Sequence, residues 1–155
     1  MGSGIAYSSA NAGHDVVVVE QDKKLLEQGM KRIYDYIDKG VSKGILGPND
    51  AAKMKSKVRG TVDFPEACRN AEIIVEAVFE DPIVKEQVFA TLDKASPPET
   101  IIASNTSSIS ITKLAAATKR PGKVLGLHFF NPVPTMKLVE VIRGDRTSEE
   151  TLKDA

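Results

Sequence analysis

His128 and Glu140 stand twelve residues apart, on either side of the turn-forming segment Asn131-Pro-Val-Pro134. With an unperturbed pKa of about 6.5, histidine is the side chain best suited to take up and return a proton near neutral pH. A carboxylate beside it would fix its tautomer and stabilise the imidazolium. The segment between the two flanking apolar runs is too short for a parallel crossover, so those runs should pair antiparallel. His128 and Glu140 can then face each other across the pair. Ser107 and Asn131 add a hydroxyl and an amide able to hold a reacting oxygen. Each group also has a plainer reading. A histidine at a strand end is commonly structural, Glu140 alone would be an exposed strand residue, and Ser107 or Ser108 could cap the helix that follows.

Positioning these groups falls to alternating strands and helices. A first helix over Met1 to Ala12, rich in small residues, should stop at Gly13. The apolar run from Asp15 to Glu20 reads as a strand buried on both faces. Leu25, Leu26, Met30, Ile33, Ile37 and Val41 recur at helical spacing from Asp22 to Lys43, and Pro48 opens a second, basic helix. Thr61 to Phe64 is expected as a short strand and Glu72 to Val78 as a buried one. Pro82 starts a helix with Ile83, Val84, Val88, Phe89 and Leu92 on its apolar face. Thr100 to Ser104, Lys123 to Phe130 and Lys137 to Ile142 read as strands, Ser110 to Thr118 as a short helix, and Ser148 onward as the start of another. This alternation predicts an α/β fold of the Rossmann type, a doubly wound and mostly parallel sheet closed by an antiparallel pair.

Such sheets bind dinucleotides through a glycine-rich turn and an acidic residue about 20 positions on, which accepts bonds from the ribose hydroxyls. Glu20 lies 18 positions after Gly2, at the end of the first apolar run. Neither a strand nor a Gly-x-Gly turn precedes Gly2, so the sheet is expected without its first strand. By itself, Glu20 could equally be a solvated strand end, and Met1-Gly2-Ser3 an ordinary flexible start.

Composition narrows the classes. The 155 residues carry 21 Lys+Arg and 21 Asp+Glu, a net charge of zero that argues against a broadly basic nucleic-acid binder. One cysteine, Cys68, permits no internal disulfide and makes a cysteine-based zinc site an unpromising idea, and no metal site is expected. The longest aliphatic run, Val16 to Val19, is far below a membrane span. A cytoplasmic domain is expected, with the mitochondrial matrix as the alternative in a eukaryote.

Three stretches are more specific: Glu76-Ala-Val-Phe-Glu-Asp81, Ser104-Asn-Thr-Ser-Ser-Ile-Ser110, and Leu127-His-Phe-Phe-Asn-Pro-Val-Pro-Thr-Met-Lys-Leu-Val-Glu-Val141. Together they resemble the NAD-binding domain of the L-3-hydroxyacyl-CoA dehydrogenase family, which includes the 3-hydroxybutyryl-CoA dehydrogenases. The resemblance runs from Gly2 to about Glu150. It implies NAD-dependent oxidation of the 3-hydroxyl of an acyl-CoA to a ketone. It further implies His128 as base, Glu140 as its partner, Ser107 as the contact to the substrate oxygen and nicotinamide region, and Asn131 as an active-site and cofactor contact. Glu80 and Lys85 match NAD-contacting positions, and Glu20 an acidic ribose ligand that is usually Asp; of the glycine fingerprint only the last residue is expected, as Gly2 or Gly4, with Gly2 assigned to the cofactor. Lys43 matches a CoA-contacting lysine, while Tyr36 stands where some members carry a serine contact. Members of the family open with a strand and full glycine fingerprint and continue into a helical second domain that commonly carries the dimer contacts. The chain is therefore expected as an N-terminally trimmed NAD-binding domain, inactive alone, from a homodimeric protein. The same fold also serves non-enzymatic relatives such as some eye-lens crystallins, the alternative reading.

Overall fold

The computed structural model describes residues 1–155. The chain forms two compact units, residues 1–67 with 131–137, and residues 68–130 with 138–155.

The first unit contains α1 (Gly2–Asn11), β1 (Val16–Val19), α2 (Lys23–Ser42), α3 (Pro48–Lys57) and β2 (Val58–Thr61), and α4 (Phe64–Cys68) lies at its boundary. Gly13, at φ +97°, supplies the left-handed residue that turns the chain out of α1. The Asp22 carboxylate caps α2 by accepting the Leu25 N–H at 2.8 Å. Ile33 and Ile37, one helical turn apart, are fully buried on α2 and pack with Tyr7, Ala10, Met54 and Val58. β1 and β2 run parallel, from Val16 opposite Val58 to Val19 opposite Thr61. The 131–137 segment rests on α1, where Gly4 leaves room for Val133: a Cβ on Gly4 would stand 2.8 Å from the Val133 Cβ.

The second unit is built on four strands in the order β3 (Ile73–Glu76), β4 (Ile101–Ser104), β5 (Val124–Phe129), β6 (Val139–Arg143). The first three are parallel, and β5 and β6 are antiparallel as expected. Helices α5 (Pro82–Ala95), α6 (Ile111–Ala116) and α7 (Glu149–Asp154) complete it, with a short 3-10 turn at Pro121–Lys123. Ile102, Leu125, Val124, Phe89 and Leu114 are fully buried in its core.

Several expectations need correction. The strand expected at Thr61 to Phe64 begins at Val58, where it pairs with the whole of β1. Phe64 instead opens α4, because Asp63 accepts the Glu66 N–H at 2.9 Å and starts a helix. β1 is only half-buried, and Ile73 of β3 is 42% exposed. Each of these strands has a single hydrogen-bonded neighbour, and apolar composition does not reveal that. On α5, Ile83 and Val84 are exposed, and Lys85, Phe89 and Leu92 form the buried face. The cap of α6 is Ser110, whose hydroxyl accepts the Lys113 N–H at 3.4 Å, and neither Ser107 nor Ser108 fills that place.

Candidate active site

The antiparallel register sets His128 directly opposite Glu140, and the ring Nδ1 lies 2.8 Å from the Glu140 Oε2. With Glu140 ionised and the ring neutral, this bond places the proton on Nδ1 and leaves the Nε2 lone pair free. Alternation along β5 explains the placement. Leu125, Leu127 and Phe129 turn to one face of the sheet, against Ile101, Ala103 and Val75, and His128 turns to the other. The His128 side chain is 19% exposed, so it is sheltered yet reachable. The Phe130 ring lies against it, with centroids 4.6 Å apart.

Beside it on the neighbouring parallel strand, β4 ends at Ser104 and runs into the Asn105–Ser110 loop. The Asn105 side chain accepts the Phe129 N–H at 2.9 Å and ties this loop to the residue after His128. Ser107 is exposed, and its N–H donates to the Glu80 carboxylate at 3.1 Å. Glu80 follows the end of β3. Partial burial works against its charge, yet bonds from the Thr106 hydroxyl and the Ser107 N–H, with the charge of Lys85, hold its carboxyl below the ordinary glutamate value. His128, Glu140, Ser107 and Glu80 thus gather where the three parallel strands β3, β4 and β5 end, the edge at which open α/β sheets bind ligands.

Lys85, which the resemblance places against NAD, is buried. Its side chain is 1% exposed, with the ammonium 2.7 Å from Glu76 and 3.4 Å from Glu80. Its ammonium is paired within the protein, with Glu76 and with the Glu80 carboxylate at the edge of the site. Sequence reasoning passed over Glu76, Ser104, Asn105 and Thr106. The available signal was a carboxylate closing an apolar strand and a run of short polar side chains directly after another.

Within the first unit, Glu20 follows β1 and is half-buried. Its backbone N–H bonds to Thr61 at 3.4 Å, and its carboxylate makes no bond within the chain. Gly2 is the first residue of α1, whose N-terminus has no side-chain cap and no acidic residue in its first turn. Asn131 is exposed and begins the 131–137 segment with a cis peptide to Pro132. Lys43 is exposed at the C-terminal end of α2. Tyr36, in the place of the family's serine, meets the Tyr7 ring edge-on at 5.8 Å and is committed to packing. No helix is long and apolar enough to cross a membrane.

Fold and site therefore define an α/β domain of dinucleotide-binding type with a histidine–carboxylate pair at its strand ends. A family profile described as "3-hydroxyacyl-CoA dehydrogenase, NAD binding domain" matches residues 1–155, and the chain belongs to that family. It is 44% identical over 154 residues to a probable 3-hydroxybutyryl-CoA dehydrogenase of Bacillus subtilis, covering 99% of this chain and 53% of the relative. It is 43% identical over 152 residues to a fatty acid oxidation complex subunit alpha of Acinetobacter baumannii, covering 98% of this chain and 21% of that one. The crystal structure of an (S)-3-hydroxybutyryl-CoA dehydrogenase from Ralstonia eutropha superposes with a TM-score of 0.96 at 38% identity, over 99% of this chain and 54% of that one. The chain thus spans about half the length, or less, of the relatives it matches. These names favour the enzymatic reading over the crystallin-like one.

Proposed function

We propose that the complete protein oxidises the 3-hydroxyl of an L-3-hydroxyacyl-CoA to the ketone, with NAD as cofactor. The observation that carries this reading is the 2.8 Å contact of His128 Nδ1 with Glu140, which leaves Nε2 as a proton acceptor. Nε2 takes the hydroxyl proton, and Glu140 steadies the imidazolium that results. Ser107, exposed and free of the helix cap, donates to the substrate oxygen, and Asn131 supplies an amide to the same reaction. When bound, NAD would supply the acceptor for the hydride leaving the carbinol carbon.

The residues present suit that cofactor. The uncapped N-terminus of α1 at Gly2 offers N–H groups to a pyrophosphate. The unpartnered Glu20 carboxylate suits ribose hydroxyls, and Glu80 with Ser107 suits the cofactor's other polar groups. Lys43 is assigned to the CoA portion of the substrate. We further assign the protein to the cytoplasm and, on the family resemblance, to a homodimer.

The test is acetoacetyl-CoA-dependent oxidation of NADH by the complete protein, followed by absorbance. Turnover abolished in His128→Gln supports the reading, and absence of turnover in the wild type across a series of acyl chain lengths overturns it.

A further inference from the structure

Five side chains beside the site close a ring. The Glu76 carboxylate accepts the Val78 N–H at 2.6 Å and the Lys85 ammonium at 2.7 Å on one oxygen, and the Ser104 hydroxyl at 2.7 Å on the other. The Ser104 oxygen accepts the Thr106 N–H at 3.2 Å. The Thr106 hydroxyl donates to Glu80, and its oxygen accepts the Ile109 N–H at 2.9 Å and the Ser108 N–H at 3.3 Å. Lys85, 3.4 Å from the second Glu80 oxygen, completes the circuit.

Glu76, Lys85, Ser104 and Thr106 are all at least nine-tenths buried. Burying a lysine and a glutamate together rarely gains stability over apolar side chains of the same volume, because desolvation offsets the attraction. What a fully bonded ring does supply is geometry. It joins the ends of β3 and β4 to the first turn of α5, and it fixes the N–H groups of Thr106, Ser107, Ser108 and Ile109. Ser107 is the residue it leaves facing outward with its own hydroxyl uncommitted.

We propose that Glu76, Lys85, Ser104 and Thr106 are positioning residues, whose ring holds the Glu80 carboxylate and the Ser107 backbone so that the Ser107 hydroxyl meets the reacting oxygen. The proposal rests on the reading of Ser107 given above. It makes Lys85 a residue that acts through Glu80.

Thr106→Val keeps the side-chain shape and opens the ring, and Thr106→Ser restores the hydroxyl, so this pair tests the idea even if Glu76→Gln fails to fold. In the cofactor-free complete protein, amide hydrogen exchange at Ser107 to Ile109 should quicken in Thr106→Val and return to wild type in Thr106→Ser. In acetoacetyl-CoA reduction, Thr106→Val should lower kcat by about 10²-fold, the cost of a small misplacement, with KM for NADH nearly unchanged. Thr106→Ser should recover most of it. Thr106→Val combined with Ser107→Ala should be no slower than Ser107→Ala alone, because residues acting as a unit are not additive. Wild-type kcat in Thr106→Val despite quickened exchange would overturn the proposal while a slow Ser107→Ala left the reading of Ser107 standing. Losses that multiply would overturn it too, and wild-type kcat in Ser107→Ala would remove the reading itself.

Discussion

As the proposed base, His128 gains from having one ring nitrogen already committed. The bond to Glu140 fixes the proton on Nδ1, and strand pairing fixes that bond. Glu20 raises a second question at this scale. Its carboxylate has no partner, and the nearest cations in sequence, Lys23 and Lys24, are exposed. A ribose 2′-hydroxyl can donate to it, whereas a 2′-phosphate would meet like charge. The complete protein should therefore prefer NADH over NADPH in kcat/KM, and Glu20→Ala should narrow the gap. Equal values in the wild type would contradict this assignment. The His128–Glu140 contact was legible from the sequence for a local reason, and a local signal of the same kind singles out Glu20 as a candidate. The short Asn131–Pro134 link left His128 and Glu140 only an antiparallel arrangement, and Glu20 closes an apolar run of strand length.

At the scale of elements, the helix α5 carries a lysine where its apolar periodicity called for an aliphatic face. Lys85 and Glu76 are each 1% exposed. Removing the cation by Lys85→Ala leaves Glu76 buried without its partner, which should cost about 3–5 kcal/mol in urea or thermal unfolding. Lys85→Met, paired with Glu76→Leu, should recover most of that stability and none of the kcat. Glu80 adds a pH signature. Its carboxyl is held below the ordinary value of 4.5 in the folded protein, so the folded state binds fewer protons than the unfolded one in that range. Its stabilisation is present above 4.5 and is lost as the pH falls through the lowered value. Unfolding followed against pH should show a shallower acid limb in Glu80→Gln, and an unchanged limb would show that Glu80 is not so held. None of this was visible in the sequence, since the ring joins residues up to 30 positions apart (Glu76 to Thr106) and the helix alone gave no reason to bury a charge. Strand edges were hidden for a similar reason. Val16 to Val19 reads the same with one neighbour as with two, and β2 was found three residues early because its start is set by pairing with β1 and not by its own composition.

For the molecule as a whole, the strand alternation, the mostly parallel pairing and the closing antiparallel pair could all be read from the pattern of apolar runs. The division into two compact units could not, because it follows which strands pair, β1 with β2 and β3 to β6 in a sheet of their own, while the 131–137 segment returns to α1, where Gly4 accepts Val133. A ligand that binds only the folded state stabilises it by about 2.7 kcal/mol at a hundred times its Kd. For a domain of this size that is a rise in Tm of roughly 5–10 °C. NADH at saturation should produce such a rise in the complete protein and NADPH a smaller one, and no rise with either would argue against a dinucleotide site. The central claim remains the base and its partner, and a double-mutant cycle on His128→Gln and Glu140→Gln tests it most directly. Measured as kcat/KM for acetoacetyl-CoA reduction by the complete protein, each single change should cost about 10²–10⁴-fold. The double variant should be scarcely slower than the slower single one, because the two groups act as a unit. Losses that multiply, or near-normal turnover in His128→Gln, would contradict the account.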